Sequence, residues 1–280
     1  MEVGGARSRQ REGGGTAVVE RGSIGGDATM GNWALMARSE VVPLSKPGVM
    51  KKLPGWILDS EGPLAVRPGH LPTAIPWLLK FLRNARADRV AQICHGLGEI
   101  AKLAQDDFDN VIEAANIKDI WAENEVLYLY DSKSQYDADT FSWNLREAEG
   151  CFVTPLNKNE LRDLEPDVRT DEKFGVIANG WKSFTNPQRL TKELANFFAA
   201  SGGKIIAQDV ARITMLNGRA DQVKFENGET LKLDKLVVAA GCWAGRLLSD
   251  MGIRIPLAPL HGYHTDLPDS GVKLSRAVIY

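Results

Sequence analysis

The sequence has little of several features that would assign a protein class directly. Only three cysteines, Cys94, Cys151 and Cys242, occur among 280 residues. Their odd number and wide spacing exclude a disulfide framework and a zinc site, and favour a reducing compartment. No run of about 18 apolar residues exists, so no transmembrane helix is expected. The formal net charge of −2 gives no indication of a nucleic-acid or anionic-membrane partner.

Motifs that would mark common enzyme classes are also missing. The sequence contains no Walker A, G-x-S-x-G or H-E-x-x-H motif, and no G-x-G-x-x-G phosphate loop. No two histidines have metal-ligand spacing with an acid, so no metal site is predicted. Residues 1–15 are rich in glycine and arginine and have no apolar core, which excludes a secretory signal and predicts disorder.

The most informative segment that is present is the run LVVAAGCWAG at 236–245. Its β-branched, apolar first half predicts a strand at 236–240 that is buried on both faces, as in a parallel sheet. Gly241 ends the run, and a helix is predicted to begin at 242–248. Small residues between a strand and a helix N-terminus let a ligand approach the backbone, so the segment favours a nucleotide cofactor.

Two segments near the N-terminus fit the same interpretation. Glu20 ends a short apolar strand, 16–20, at the position where dinucleotide folds bind a ribose hydroxyl. The alternative is a solvated acid at a strand end. The loop 25–32 combines glycines with hydroxyl and amide side chains, and such a loop can lie against a flat cofactor. The alternative there is an ordinary glycine-rich turn.

Hydrophobic periodicity predicts strands that alternate with helices toward both ends and longer helices between them. Helices are predicted at 73–87, 88–115, 133–149 and 186–201, with a further one begun by a capping box at Asn157 and Glu160. Strands are predicted at 125–130, 174–178, 204–207, 210–216 and 220–225, and Asn-Gly pairs mark hairpin turns at 217–218 and 227–228. The pattern indicates an α/β nucleotide-binding domain with a second domain inserted in it.

Several segments, taken together in order, resemble FAD-dependent amine oxidoreductases of the D-amino-acid oxidase type, and most closely the bacterial D-amino-acid dehydrogenase branch. They are VVERGSIGGDATMGN, EVLYLYDS, LRDLEPDV, FTNPQRLTKELANFFAASGGKI and LVVAAGCWAGRLLSDMGIRIPLAPLHGYH. The resemblance covers about residues 16 to 280. It implies an α/β fold in which a Rossmann-like FAD-binding domain carries an inserted α+β substrate domain built on an antiparallel sheet.

The resemblance also implies domain boundaries. Residues 16–60 and 185–255 would form the FAD-binding domain, 61–184 the substrate domain, and 256–280 the start of the substrate-domain sheet. In the family, a strand and G-x-G-x-x-G precede the segment that begins at Thr16, and further sheet follows Tyr280. The first βα unit is therefore expected to be missing, and the chain to be truncated at both ends.

Site residues follow by position from the same resemblance. Glu20 matches the acid that binds the adenosine ribose of FAD, with Arg21 beside it. The other cofactor-binding matches are Thr29, Gly31 and Asn32 near the pyrophosphate and isoalloxazine, Val210 at the adenine, and Ala240, Gly241 and Trp243 under the cofactor. His261 and Tyr263 are predicted near the flavin or substrate, in a run that also holds His264. The alternative is that these side chains are structural or lie at the surface.

The implied activity is oxidative deamination of D-amino acids by hydride transfer to FAD, which yields 2-oxo acids and ammonia. Electrons would pass to a quinone or to oxygen. One alternative is oxidation of a secondary amine such as sarcosine, glycine or proline. Another is a non-catalytic fragment that cannot hold FAD. The expected location is the cytoplasm, with peripheral association at the inner face of the plasma membrane left open.

Overall fold

The computed structural model describes residues 15–32, 34–49, 55, 69, 71–171, 173–257 and 262–280. The strands are β1 Ala17–Glu20, β2 Leu35–Met36, β3 Trp121–Tyr130, β4 Val153–Leu156, β5 Phe174–Phe184, β6 Lys204–Ala207, β7 Val210–Leu216, β8 Arg219–Phe225, β9 Thr230–Lys232 and β10 Ala277–Ile279. The helices are α1 Leu71–Arg83, α2 Ala87–Ala114, α3 Lys133–Ala138, α4 Thr140–Ala148, α5 Lys158–Leu164, α6 Pro187–Ala200 and α7 Ala244–Ser249. The segment 1–15, predicted to be disordered, lies outside the described residues except for Gly15.

The chain divides into two compact units. Unit 1 comprises residues 1–34, 111–120 and 184–270, and unit 2 comprises residues 35–110, 121–183 and 271–280. Within the described ranges, no helix has the length and apolar character needed to cross a membrane.

Unit 2 is built on a sheet with the order β10-β3-β5-β2, and β4 also pairs with β5. Strand β3 has a neighbour on each side, and residues 126–129 within it are all buried. Aromatic side chains fill one face of this sheet. The ring of Tyr128 meets Trp143 edge to face at 5.1 Å and Trp181 at 6.3 Å, both favourable arrangements for aromatic pairs.

Two helix starts predicted from the sequence are confirmed. In unit 2, Asn157 and Glu160 form a reciprocal capping box at the start of α5. In unit 1, the Asn186 side chain accepts a hydrogen bond from the Arg189 backbone N–H at 2.9 Å, and Pro187 opens α6. Both signals are local, because a cap satisfies N–H groups only two or three residues away.

Unit 1 contains two small sheets. Strands β1 and β6 run parallel, with Val18 opposite Ile205. Strands β7, β8 and β9 form an antiparallel meander. Its first turn holds Asn217 at φ 51° and Gly218 at φ 76°. Left-handed φ values at both positions are typical of the two-residue hairpin turn that the Asn-Gly pair predicts.

The prediction of a strand at 236–240 is wrong. In the described part of the chain these residues belong to no sheet, although alternate positions are half-buried and exposed as in an extended segment. A strand exists only through hydrogen bonds to a neighbour. In the same unit, strand β1 pairs only with β6 among the described residues.

Two predicted element boundaries also need correction. Strand β5 continues past the predicted end at Ala178, because Asn179-Gly180 makes a kink within the strand, with Gly180 at φ 81°, instead of a turn. Residues on the two sides of the kink pair with β4 and β2. The helix predicted at 133–149 is two helices divided at Asp139, whose φ and ψ are −97° and 10°.

Candidate functional site

The predicted cofactor residues begin at the carboxyl end of β1 in unit 1. The Glu20 carboxylate accepts a hydrogen bond from the Gly22 backbone N–H at 3.3 Å. The next side chain, Arg21, donates from Nη2 to Asp27 Oδ2 at 2.9 Å. Its guanidinium also lies 4.1 Å from the centre of the Trp243 ring, a cation–π contact. Two sequence segments more than 200 residues apart therefore meet at this strand end.

Charge at this strand end is set by three acids around one cation. The hydrogen bond with Asp27 raises the pKa of Arg21, and the carboxylates of Asp209 and Glu20 add to the effect. Asp209 immediately precedes Val210, the predicted adenine contact, which starts β7 opposite Phe225. Val210 is half-buried. Because the Asp209 carboxylate interacts electrostatically with Arg21, the start of β7 belongs to the same group of residues.

The loop after β1 has the backbone freedom that its glycines predict. Gly25 and Gly31 adopt left-handed φ values of 74° and 77°. The Asn32 side-chain oxygen accepts a hydrogen bond from the Ala34 backbone N–H at 2.8 Å, which fixes the end of the loop. Thr29 is half-buried, whereas Gly31 and Asn32 are exposed. A bound group can therefore approach the last residues of the loop from solvent.

One contact of this loop was not predicted as a site feature. A Cβ placed on Gly31 would lie 2.3 Å from Cε1 of His264, so the imidazole packs directly against the glycine backbone. The sequence alone shows only the short run HGYH, and it favours Tyr263 and His261 as the candidates there. Tyr263 is 92% exposed and stays outside this group of contacts. His261 lies outside the described residues.

The segment after 236–240 also presents bare backbone. Gly241 has a left-handed φ of 52°, and no described atom lies within 4 Å of the position its Cβ would take. Ala240 is half-buried, and Trp243 is 43% exposed at the end of a short 3₁₀ turn before α7. Small residues in open space here leave room for a ligand beside the Trp243 ring.

A second group of polar side chains lies in unit 2. Ligand atoms of His95, Glu99 and Glu149 come within 4.8 Å of one another. The Lys102 ammonium lies 3.1 Å from Glu99 and 3.3 Å from Glu149, and so supplies the positive charge among these carboxylates. A Cβ on Gly98 would lie 2.3 Å from Glu149 Oε2, which explains a glycine within α2. The group is a buried carboxylate with ion-pair partners.

A cleft of about 480 Å³ opens elsewhere in unit 1, between β6 and the end of the meander. Its lining is mostly apolar, with one lysine and one glutamate: Lys204, Ile205, Ile206, Phe225, Glu229, Thr230 and Leu231. None of these residues was predicted to bind the cofactor. The convergence of Glu20, Arg21 and Trp243, and not this cleft, therefore defines the candidate site.

Comparison with known proteins of similar sequence supports the resemblance to the D-amino-acid oxidase type that the sequence predicts. The chain is 32% identical over 270 residues to a D-amino-acid oxidase of Bradyrhizobium diazoefficiens, covering 95% of this chain and 64% of that protein. It is 28% identical over 229 residues to a D-amino acid dehydrogenase of the same organism, covering 81% of this chain and 54% of that one. The chain thus spans less than two thirds of either relative.

Solved structures share the fold. A glycine oxidase from Bacillus cereus matches with a TM-score of 0.54 at 18% identity, over 88% of this chain and 54% of that one. An L-amino acid deaminase from Proteus vulgaris matches with a TM-score of 0.61 at 14% identity, over 91% and 54%. Together with helices, several sheets and an antiparallel meander, these matches confirm the predicted α/β fold class.

The residues present fit the adenosine end of FAD. A carboxylate stands at the end of a parallel strand, glycines with left-handed φ follow it, and exposed backbone lies beside Trp243. The family model of the DAO type, described as FAD dependent oxidoreductase, matches residues 6–279. The predicted family and its cofactor are therefore confirmed, and this chain belongs to the DAO family of FAD-dependent oxidoreductases.

Proposed function

We propose that the protein acts in the FAD-dependent oxidative deamination of a D-amino acid. When bound, FAD supplies the hydride acceptor for the substrate α-carbon, and the protein binds and orients the reactants. One observation carries the proposal. The Arg21–Trp243 contact joins the strand end that holds Glu20 to the exposed backbone at Gly241, so the predicted halves of a dinucleotide site meet within unit 1. Similarity to a D-amino-acid oxidase and a D-amino acid dehydrogenase supports the substrate class.

The proposed roles follow from the chemistry of each group. Glu20 accepts hydrogen bonds from the ribose hydroxyls, since a carboxylate is the strongest acceptor at this strand end. Thr29, Gly31 and Asn32 are proposed to hold the pyrophosphate and the flavin ring, since a loop with glycines lets a ligand approach the backbone. Arg21 and Trp243 hold the two segments in place. Val210, Ala240 and Gly241 complete the cofactor contacts, and His261 and Tyr263 are proposed near the flavin or substrate.

Oxidation of a secondary amine is the second candidate activity. A glycine oxidase and an iminodiacetate oxidase share this fold, the latter with a TM-score of 0.56 at 17% identity, over 90% of this chain and 56% of that one. A substrate panel separates the two activities. D-amino acids with a primary amine should bleach the flavin absorption of the FAD-loaded protein under anaerobic conditions, whereas the secondary amines sarcosine and L-proline should leave it unchanged. Bleaching by the second set alone would favour the secondary-amine activity.

For the electron acceptor, we propose a quinone or oxygen, in a cytoplasmic protein that associates with the inner face of the plasma membrane. Helix α1 supports this location. Ile75 and Leu79 are 48% and 64% exposed on it, and Lys80 and Arg83 lie in its last turn. Apolar side chains beside basic ones are typical of interfacial helices. Sedimentation with anionic vesicles, lost in the Leu79→Glu variant, is the expected result.

FAD titration of the purified protein tests the central claim. We expect Glu20→Gln to weaken FAD binding about tenfold to a hundredfold, because a hydrogen bond to a charged group contributes about 1.5–3 kcal/mol. Isothermal titration calorimetry measures both affinities. Glu147→Gln, an exposed helix position in unit 2, is the matched control and should leave the affinity unchanged. Equal affinities of the wild type and Glu20→Gln would contradict the assignment of Glu20.

A further inference from the structure

A mixed group of nitrogen and oxygen ligands lies in unit 2, where α2 meets the end of α4. His95 and Glu99 stand four positions apart on α2, so their side chains project from the same face of the helix. Glu149 is the C-cap of α4, 54 positions beyond His95, and local sequence spacing could not connect the two. One ligand atom from each of the three residues lies within 4.8 Å of the other two. An imidazole with two carboxylates is a ligand set that suits divalent transition metals.

The spacing of these ligand atoms fits a shared metal ion. Zinc binds imidazole nitrogen and carboxylate oxygen at about 2.0–2.2 Å, so two ligand atoms of a tetrahedral site are about 3.4 Å apart. Nδ1 of His95 already lies 3.1 Å from Oε1 of Glu149. The side chains of His95 and Glu99 are 70% and 57% exposed, so both have room to adjust to an ion. Their exposure also leaves a path by which an ion enters from solvent.

The Glu149 carboxylate is anchored at the inner side of this group. Its side chain is 8% exposed, and it lies against the backbone of α2, where a Cβ on Gly98 would overlap Oε2. Glycine is a weak helix former, so its place inside a 28-residue helix needs a reason. Here it lets the carboxylate approach the helix next to the turn that carries His95 and Glu99. A carboxylate at a buried position requires a cation beside it.

A lysine ammonium now supplies that cation. Nζ of Lys102 lies 3.1 Å from Oε1 of Glu99 and 3.3 Å from Oε2 of Glu149, so it bridges the two carboxylates. The Lys102 side chain is 41% exposed and sits on a flexible stem, which can swing into solvent. A divalent ion carries twice the charge and also binds the imidazole nitrogen, which an ammonium ion cannot do. Lys102 and a metal ion therefore compete for the same two carboxylates.

We propose that His95, Glu99 and Glu149 bind one divalent transition-metal ion, for which Zn²⁺ is the probe, and that Lys102 is its internal competitor. The metal takes the place of the hydrogen bond between His95 and Glu149, and the imidazole binds in its neutral form. Water completes the coordination on the exposed side. The ion joins α2 to the end of α4 and so stabilises unit 2. The site involves neither FAD nor the proposed oxidation, so it stands apart from the proposed function.

Zinc titration of the purified chain, after removal of metal with EDTA, tests the ligand set. Calorimetry should show one equivalent of Zn²⁺ bound with a Kd of about 10 μM or tighter, whereas Mg²⁺ should not bind, because it prefers oxygen ligands alone. His95→Gln and Glu99→Gln, both at exposed positions, should each weaken zinc binding at least about tenfold. Glu147→Gln, exposed on α4, is the matched control and should bind zinc like the wild type. A wild type that does not bind zinc, or unchanged binding in both ligand variants, overturns the proposal.

A lysine substitution tests the competition. Lys102→Met should tighten zinc binding about tenfold, because an ammonium close to the ion repels it and occupies its carboxylate ligands. Lys118→Met removes another lysine, one whose partner is Glu113, and should leave the zinc affinity unchanged. Equal affinities of Lys102→Met and the wild type would overturn the proposal. The same gain in both lysine variants would do so as well, since it would reflect net charge alone.

X-ray absorption of the zinc-loaded chain separates this site from the exposed thiol of Cys242. Zinc–sulfur bonds are about 2.3 Å long and zinc–nitrogen bonds about 2.0–2.1 Å, so a sulfur neighbour is recognised directly. We expect nitrogen and oxygen neighbours only, and a sulfur neighbour contradicts the assignment. Zinc at a hundred times its Kd should also raise the Tm of the wild type by about 5 °C and leave that of His95→Gln unchanged. An equal rise in both proteins counts against the site.

Discussion

The sheets of the two units differ in how their central strands are bordered. In unit 2, β3 lies between β10 and β5, and its residues 126–129 are buried. In unit 1, β1 has β6 on one side, and the LVVAA segment stays outside any sheet in the described residues. Both units contain strands of similar apolar composition. The comparison shows that an apolar, β-branched composition favours a strand, whereas a neighbouring strand on each side is needed for the strand to be buried.

The two units also differ in the role of their polar groups. Those of unit 2 are mostly structural, whereas those at the unit 1 strand end are available to a ligand. In unit 2, several buried polar side chains are hydrogen-bonded to internal partners, although among the described residues Arg38 Nε and Arg146 Nη1 have none. Trp181, for example, donates to the Ser39 hydroxyl at 2.9 Å. In unit 1, Glu20 and Gly241 stand at the ends of short or unpaired segments with backbone exposed beside them. Substitutions in unit 2 should therefore alter stability, and those at the unit 1 strand end should alter binding more than stability.

The largest stability effect is expected in unit 2 from Glu165→Ala. The Glu165 carboxylate is fully buried and accepts hydrogen bonds from the backbone N–H and the hydroxyl of Ser275 and from Nε of Arg276, just before β10. Removing one partner of a buried ion pair costs about 3–5 kcal/mol. Chemical denaturation should show this loss, and hydrogen exchange should show β10 unprotected. Asp163→Ala, whose side chain is 74% exposed, is the control and should change stability by less than about 0.5 kcal/mol.

A smaller loss of folding stability is expected in unit 1 from Gly31→Ala. A left-handed φ costs a residue with a Cβ about 1–2 kcal/mol, and the new methyl would also displace His264. Adding His264→Ala should relieve the steric part and leave the backbone cost. Gly22→Ala, where no described atom lies within 4 Å of the new methyl, is the control with no expected loss. If the variant with both Gly31→Ala and His264→Ala were as stable as the wild type, the predicted backbone cost would be contradicted.

The smallest effect is a change of pH dependence in unit 2. Burial raises the pKa of Glu149, but hydrogen bonds from His95 and Lys102 outweigh burial, so the pKa is lowered overall. A lowered pKa in the folded state stabilises the protein above the unfolded value of about 4.3, and this stabilisation is lost as pH falls through the folded pKa. Glu149→Gln should therefore flatten the acid side of the stability profile, measured by denaturation across pH. If stability depended on pH with the same slope in Glu149→Gln as in the control Glu147→Gln, the assignment of this stabilisation to Glu149 would be refuted.

The accuracy of the sequence predictions depended on the range of the interactions involved. The capping box at Asn157 and the hairpin turn at Asn217-Gly218 are confirmed, because their hydrogen bonds close within a few residues. Asn179-Gly180 has the same dipeptide, but pairing with β4 and β2 makes it a kink within β5. The contact between Gly31 and His264 joins residues far apart in sequence, and no local pattern could have shown it.

The sequence by itself determined the family, the α/β class, the cofactor that the family uses, and most helix starts and turns. These properties reside in residue order, capping chemistry and glycine positions, which act over short distances along the chain. Only the tertiary structure decided that LVVAA is no strand, that Glu165 is buried, and that Arg21 meets Trp243. Each of these depends on a partner distant in sequence, because hydrogen-bond pairing and burial are properties of neighbours in space.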